Sequence, residues 1–541
     1  MSFAQTPGAT VQAGIDAAIA AGQTTYRLPA GQISLTESIV IPAGTKNLTI
    51  LGASGTRLVR TNTADYPLIR IGDGSPYGYD NSSFSRYSSF AANPAAEGDT
   101  TITTTGIPPT QTGWYAIIGT HSLNDIVTHS NGVQTYWFKR ELIRVTGING
   151  NVLTIDQPLG RDFGNPELRL VSPDGAIPSN RFVAENITLR DFSIAGRSTV
   201  NNGMVQKAVV ACMVQNLTLD DLTITGFVNT AVSVQFGKGI TATKLRISDG
   251  NLSSLGYGLE FMGTRMVTVR NCTFSTIRCG TIFQSGNMDA LIEDVVATSN
   301  VVTGLDGGHG TGDKRITFRR CLATNFNVAN PSYRRGTSDV TIEDCTALDG
   351  FSIYGGAKNV VIRGMYPGQT MTGTVIRMFT DSGGSGVPQG LSYVESLTLE
   401  NGATVRGVLD GVNTQLLSIT NTPPALGTLT IRNWSFKNTV SNTGAALFLN
   451  STSIPSNVIV ENSRLENTYL YSAPILINST TGAGRFNLVL KNNRFVTTGR
   501  HALMIMNAAN VAVADENGNT YNGAQLQNTQ VYGAFQVGMR P

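Results

Sequence analysis

The sequence predicts an all-β chain folded as a coil of short strands, and three observations predict it. The first is a pattern set out by residues 186–196 (NITLRDFSIAG) that returns along more than half of the 541 residues. With Ile187 as column zero, the repeats begin at Ile187, Leu217, Ile240, Val267, Ala290, Ile316, Val340, Val360, Leu397, Leu429, Val458, Leu488 and Val511, about 27 residues apart on average. The second is a column two places on that is apolar in every repeat, from Leu189, Leu219 and Ala242 to Leu490 and Val513. The third is a pair of further apolar columns, five places on (Phe192, Leu245, Cys272, Cys321, Cys345, Trp434) and seven places on (Ile194, Phe274, Phe436, Phe495). Polar pairs such as Arg190-Asp191, Glu293-Asp294 and Arg432-Asn433 separate the columns.

Alternation at zero and two is the period of a strand with one buried face. The polar pair that follows ends in Asn, Asp or Gly, residues that tolerate left-handed dihedrals, so each unit reads as two short strands joined at a tight corner. A unit this short cannot bury its own apolar face and must stack on copies of itself. The units are rich in Thr, Val, Ile and Asn and carry no 3.6-residue period, which excludes helical repeats.

In chain order, residues 10–21 (TVQAGIDAAIAA) place Val11, Ile15, Ala18 and Ile19 on one helical face, with Thr10 as N-cap and Gly22 as the stop. A helix laid over the open end of the coil would cover its core and its backbone edge. Residues 1–45 are read as this cap with a first strand, and residues 46–76 as the first rungs, starting at Leu48 and Ile50. The repeat vanishes over 77–172, read as a β-rich insertion leaning on the first rungs. It contains a hairpin whose turn is Ile148-Asn149-Gly150-Asn151, between strands 142–146 and 152–155. Residues 173–515 form the coil proper, with longer Ser/Thr/Asn/Gly loops after Leu397, and residues 516–541 a C-terminal cap.

A single globular core stops growing near about 250 to 300 residues, but a solenoid lengthens its core with each rung, so one long domain is expected. Charged residues are 14% and the net charge is +3, which leaves no electrostatic footprint for nucleic acid. Cys212, Cys272, Cys279, Cys321 and Cys345 read as core thiols, three of them in one column, and no metal or other cofactor is expected. The start has no basic n-region or apolar h-region, and no run approaches about 18 apolar residues, so membrane insertion is not expected. The expected location is a virion tail or, for a trimmed chain, the extracellular space.

The phrases MVTVRNCTF (266–274) and DVTIEDCTA (339–347) resemble the rungs of the single-stranded right-handed parallel β-helix of the pectate lyase superfamily, over roughly residues 40–510. The helix, the P-x-G that follows it and the strand ending in L-x-G are most like those of phage tailspike depolymerases. The resemblance implies that sugar chains bind across the outer face of the strands that precede column zero. Those strands carry Glu260, Gln284, Asp306, His309, Asp313, Tyr333, Arg334, Arg335 and Tyr354. Expected catalytic groups are Asp306, His309, Glu260 and Asp313, with Gly307-Gly308 supplying a bulge that brings Asp306 and His309 together. Glycines beside the histidine suggest close approach of a ligand. Expected binding groups are Arg334, Arg335, Tyr333, Tyr354 and Gln284, with Trp114 and Trp137 of the insertion either stacking on sugars or packing a core.

Hydrolysis needs two carboxylates, about 5–5.5 Å or about 6.5–9.5 Å apart. Elimination beside a uronate needs a base, His309 or Tyr354, and a cation, Arg334 or Arg335. The residues leave both open. The resemblance further implies a homotrimer, contact with other virion tail proteins, and depolymerisation of capsular, O-antigen or exopolysaccharide. The alternatives are a non-catalytic adhesin or virion structural protein, or a secreted pectinase-like enzyme.

Overall fold

The computed structural model describes residues 6–62, 66–72, 89–120, 127–128, 134–135, 140–164, 166–171, 183–196, 207–251, 255–301, 303–307, 312–328, 337–354, 357–364, 376–379, 393–402, 417–419, 425–438, 447–451, 456–467, 474–479, 486–497, 503–506, 511–522 and 530–532. The chain divides into two compact units, residues 1–304 with 311–314, and residues 305–310 with 315–541. Each is a parallel β-solenoid. In the first unit the strand Ala184–Ala195 pairs in parallel with Lys46–Leu51 on one side and Lys207–Phe227 on the other, Leu48 and Leu217 both standing opposite Ile187. The strands Arg57–Arg60 and Ile69–Gly72 continue this turn, pairing in parallel with residues 193–195 and 209–212, so the coil steps from residue 72 to residue 184.

The four expected columns are the core. Columns zero and two are buried in both units, as in Ile187, Leu189, Leu429 and Ile431, and so are Leu245, Cys272 and Trp434 at five and Phe274 and Phe436 at seven. All five cysteines are buried thiols outside any disulfide. In the second unit the Cys321 backbone N–H lies 3.4 Å from Cys345 Sγ. Burial first, and then the neighbouring Cys321, push the Cys345 thiol up, so it stays a neutral core group.

The corner at column four adopts left-handed dihedrals in Asp191, Asp221, Asn271, Asp294, Asp344, Asn433, Asn462 and Asn492. A second left-handed corner, one residue before column zero, escaped the sequence reading. It recurs in Asn47, Asn186, Asn216, Asp289, Asp339 and Asn359, with φ between 50° and 57°. There the amides stack, Asn186 Nδ2 donating to Asn47 Oδ1 at 2.7 Å and Asn216 Nδ2 to Asn186 Oδ1 at 2.8 Å. The last repeat is also corrected. A shift after Phe486–Val511 sets Leu488 opposite Ala514, so Ala514 and not Val511 occupies column zero, with Gly518 at the following corner.

Helix α1 runs Gly8–Ala20 and buries Val11, Ile15 and Ala18. It begins two residues before Thr10. Pro7 holds the N-cap position, so Thr10 lies inside the first turn and cannot cap it. Gly22, at φ 65°, follows the last turn as expected. The side-chain amide of Gln12 accepts from the Val40 N–H at 2.7 Å and donates to the Val40 carbonyl at 3.0 Å, standing in for the backbone of a missing neighbour to the strand Ile39–Ile41. Gln12→Ala is expected to lower stability by about 1–3 kcal/mol by orphaning both groups. An unchanged denaturation midpoint would contradict this account of the cap.

Candidate functional site

In the first unit the strands before column zero stack in register, Val210, Ser233, Glu260 and Ile282 occupying one position on successive rungs. Val232, Leu259 and Phe261 fill the intervening inward positions and are buried. Glu260 was expected to face solvent, yet it is 4% exposed. Lys207, equally enclosed, donates to Glu260 Oε2 at 2.7 Å and to Ser233 Oγ at 3.1 Å. This carboxylate is one half of a buried ion pair rather than part of an open groove.

Asp313 is 1% exposed, and its Oδ1 accepts from the Asn287 N–H at 2.8 Å and from Asn287 Nδ2 at 2.7 Å. Asn287 Oδ1 in turn accepts from the Thr264 N–H at 3.0 Å and from Thr264 Oγ1 at 2.8 Å. Thr264, Asn287 and Asp313 form an internal ladder at one corner of the coil. Asp313 is thus also corrected from a substrate-facing acid to a corner residue. Gln284 is half-buried.

The insertion folds as an antiparallel sheet whose core includes Trp114, Ile143, Phe163 and Leu168. Trp114 is 4% exposed, so it packs this core and offers no face to a sugar. The expected hairpin is present, but its first strand extends to Asn149 and pairs Asn149 with Val152, leaving Gly150 and Asn151 at the turn. The insertion spans more of the first unit than its opening rungs. Tyr115, Ile117 and Leu142 pack against Cys212, Met213 and Phe236. Further along, ion pairs join Asp156 to Lys238 and Glu141 to Arg265. Arg161 donates to the carbonyls of Gly286 at 3.1 Å and Gly312 at 2.8 Å. Burial first, and then the Glu185 carboxylate, push the Tyr115 phenol up, keeping it neutral in this contact.

In the second unit the pre-column strands carry a row that the sequence pattern did not reveal. Register places Asp306, Asn327, Ser352, Arg377 and Ser418 at one position on five successive rungs. Leu305, Phe326, Phe351 and Ile376 hold the adjacent position and are buried in the core. Tyr354 and Phe379 pair two residues further along their strands. Neighbouring strands lie about 4.8 Å apart, so the row spans about 19 Å, long enough to meet several units of a polymer. Asp306 is 5% exposed. Segments of unequal length separate these residues in the chain, so only the observed register could align them.

Gly307 has a structural explanation in place of the expected ligand. A Cβ there would meet Cε2 of the core residue Phe318 at 2.7 Å. Gly307→Ala is expected to cost about 1–3 kcal/mol through overpacking, read from thermal melting. A melting temperature equal to wild type would return the glycine to a role at the surface. The remaining expected site residues, His309, Tyr333, Arg334, Arg335 and Trp137, lie outside the described residues, as does the Gly308 half of the expected bulge. Among the described residues no group of three His, Cys, Asp or Glu is placed to hold a metal ion, and no helix is long and apolar enough to cross a membrane.

No family model matches the chain, and no curated protein is significantly similar to it. Solved structures are. The tailspike gp54 of the Acinetobacter baumannii bacteriophage AP22, in complex with A. baumannii capsular saccharide, superposes with a TM-score of 0.58 at 12% identity, covering 93% of this chain and 76% of that one. The tailspike protein gp49 of Pseudomonas phage LKA1 gives 0.56 at 13% identity, over 94% and 77%. The chain has the fold of these phage tailspikes. A third, gp61 of Pseudomonas phage phi297, gives 0.50 at 10% identity, over 88% and 72%.

Proposed function

We propose that this chain is a tailspike-like protein that binds and depolymerises a bacterial surface polysaccharide, at a virion tail or outside cells. The observation that carries the reading is the row Asp306, Asn327, Ser352, Arg377 and Ser418, beside the aromatic positions Tyr354 and Phe379, on a parallel sheet of tailspike fold. Hydrogen-bonding residue types at one rung spacing, with aromatic residue types two positions along the same strands, match a polymer that repeats hydroxyls and offers apolar sugar faces. Capsular saccharide on the AP22 tailspike supports the ligand class.

Asp306 is proposed as an acid or base in cleavage, and the polar and aromatic positions as the binding track. Glu260 and Asp313 are not proposed as its partners, because each is already bound within the first unit. The test is incubation of the purified protein with capsular, O-antigen and exopolysaccharide preparations. Release of reducing ends is the expected result. Ultraviolet absorbance of an unsaturated product would mark elimination, and its absence hydrolysis. Binding without any cleavage would leave an adhesin and remove the enzyme.

A further inference from the structure

In the second unit, charges at column three follow a rule. Glu343, Arg363, Glu400, Arg432, Glu461 and Lys491 stand in register on successive rungs, acid and base in strict alternation. The side chains use that arrangement, with Arg363 Nε 2.9 Å from Glu400 Oε1 and Arg432 Nε 3.1 Å from Glu461 Oε2. Off this column the habit persists, Lys437 and Arg464 both pairing with Glu466 at 2.7 Å. Like charges stacked one rung apart would repel, and an opposite charge at the same register position is the cheapest way to place a cation on a parallel sheet.

Arg377 departs from the rule. Its register neighbours are Ser352 and Ser418, and along its own strand it lies between Ile376 and Met378. No carboxylate occupies its position on either adjoining rung. A guanidinium costs conformational entropy to order and presents a planar fork suited to a carboxylate. Placed between two serines and three rungs from Asp306 in the row proposed as the binding track, this residue type has the chemistry to recognise an anionic group on an incoming polymer.

We propose that Arg377 reads a carboxylate or similar anionic substituent, so that the chain selects acidic polysaccharides. This rests on the glycan reading above, and the experiment separates the two. Wild-type protein, Arg377→Gln and Arg377→Lys, each checked for native circular dichroism, are run by affinity electrophoresis through purified bacterial capsular polysaccharides, half bearing uronic acids and half neutral. A third arm uses the retained polymer after chemical reduction of its carboxyl groups.

The expected result is retention by uronate-bearing polymers only. Arg377→Gln should weaken it about tenfold or more and Arg377→Lys less, because an ammonium keeps the charge and loses the fork. Carboxyl reduction should weaken wild type as much and leave Arg377→Gln no weaker than before. Retention by neutral polymers, or equal retention of wild type and Arg377→Gln, overturns the proposal while the glycan reading stands. Retention of wild type by no polymer of either kind removes both.

Discussion

Asp306→Asn is expected to lower depolymerisation about a hundredfold while the chain keeps its fold. One positioned acid or base contributes about 10²–10⁴-fold, and among the described residues Asp306 is the carboxylate of the polar row in the second unit. The amide preserves volume and removes both charge and basicity, so a selective loss of turnover reports chemistry. At 5% exposure the group is enclosed enough that a purely structural role must be separated from a catalytic one. Initial rates on purified capsular polysaccharide and melting curves, taken on the same samples, make that separation. Normal melting with slow turnover is the predicted outcome. Early melting with normal turnover would assign Asp306 to the scaffold.

The second large effect concerns stability. Lys207→Met is expected to destabilise the first unit by about 3–5 kcal/mol, because it leaves the Glu260 carboxylate buried without its cation. Both side chains are 5% exposed, so solvent cannot replace the lost partner. The double variant Lys207→Met with Glu260→Leu should recover most of the loss, since a buried ion pair exchanged for apolar groups of similar volume is often close to neutral. Glu260→Gln should melt early and, at a temperature where it remains folded, retain turnover. Urea titrations of Lys207→Met, Glu260→Leu and the double variant settle the coupling. If the double variant loses as much as the two single losses added together, the pair is not a coupled structural unit.

The corners of the coil and the cap show how far local chemistry carries. Asn and Asp at column four announced a left-handed corner, and Asp191, Asn271 and Asn433 adopt it. The equivalent corner before column zero was just as legible in Asn186, Asn216 and Asn359, but Met266 and Arg315 take the same dihedral and blur the column. The helix was visible from its apolar face, whereas its start depended on Pro7, a residue that a capping pattern beginning at Thr10 overlooks.

The sheet proposed to carry the site was legible, and the surroundings of its individual residues were not. The strands before column zero do line one sheet in each unit, and Asp306 and Tyr354 both belong to the second unit's row and its neighbour. Glu260 looked like a surface acid because its partner Lys207 lies 53 positions away in the chain. Trp114 looked like a sugar platform until the insertion's own core enclosed it. Arg377 was overlooked because no short motif surrounds it.

The sequence by itself determined the solenoid, its buried columns, its insertion and its left-handed corners, because a period of two and the dihedral tolerance of Asn and Asp act within a few residues. Only the tertiary structure decided which polar residues stand together. Rungs differ in loop length, so the partner of each side chain is set by the hydrogen-bonded register of neighbouring strands, and whether a charge meets water, an ion-pair partner or a ligand is set by what packs over that face.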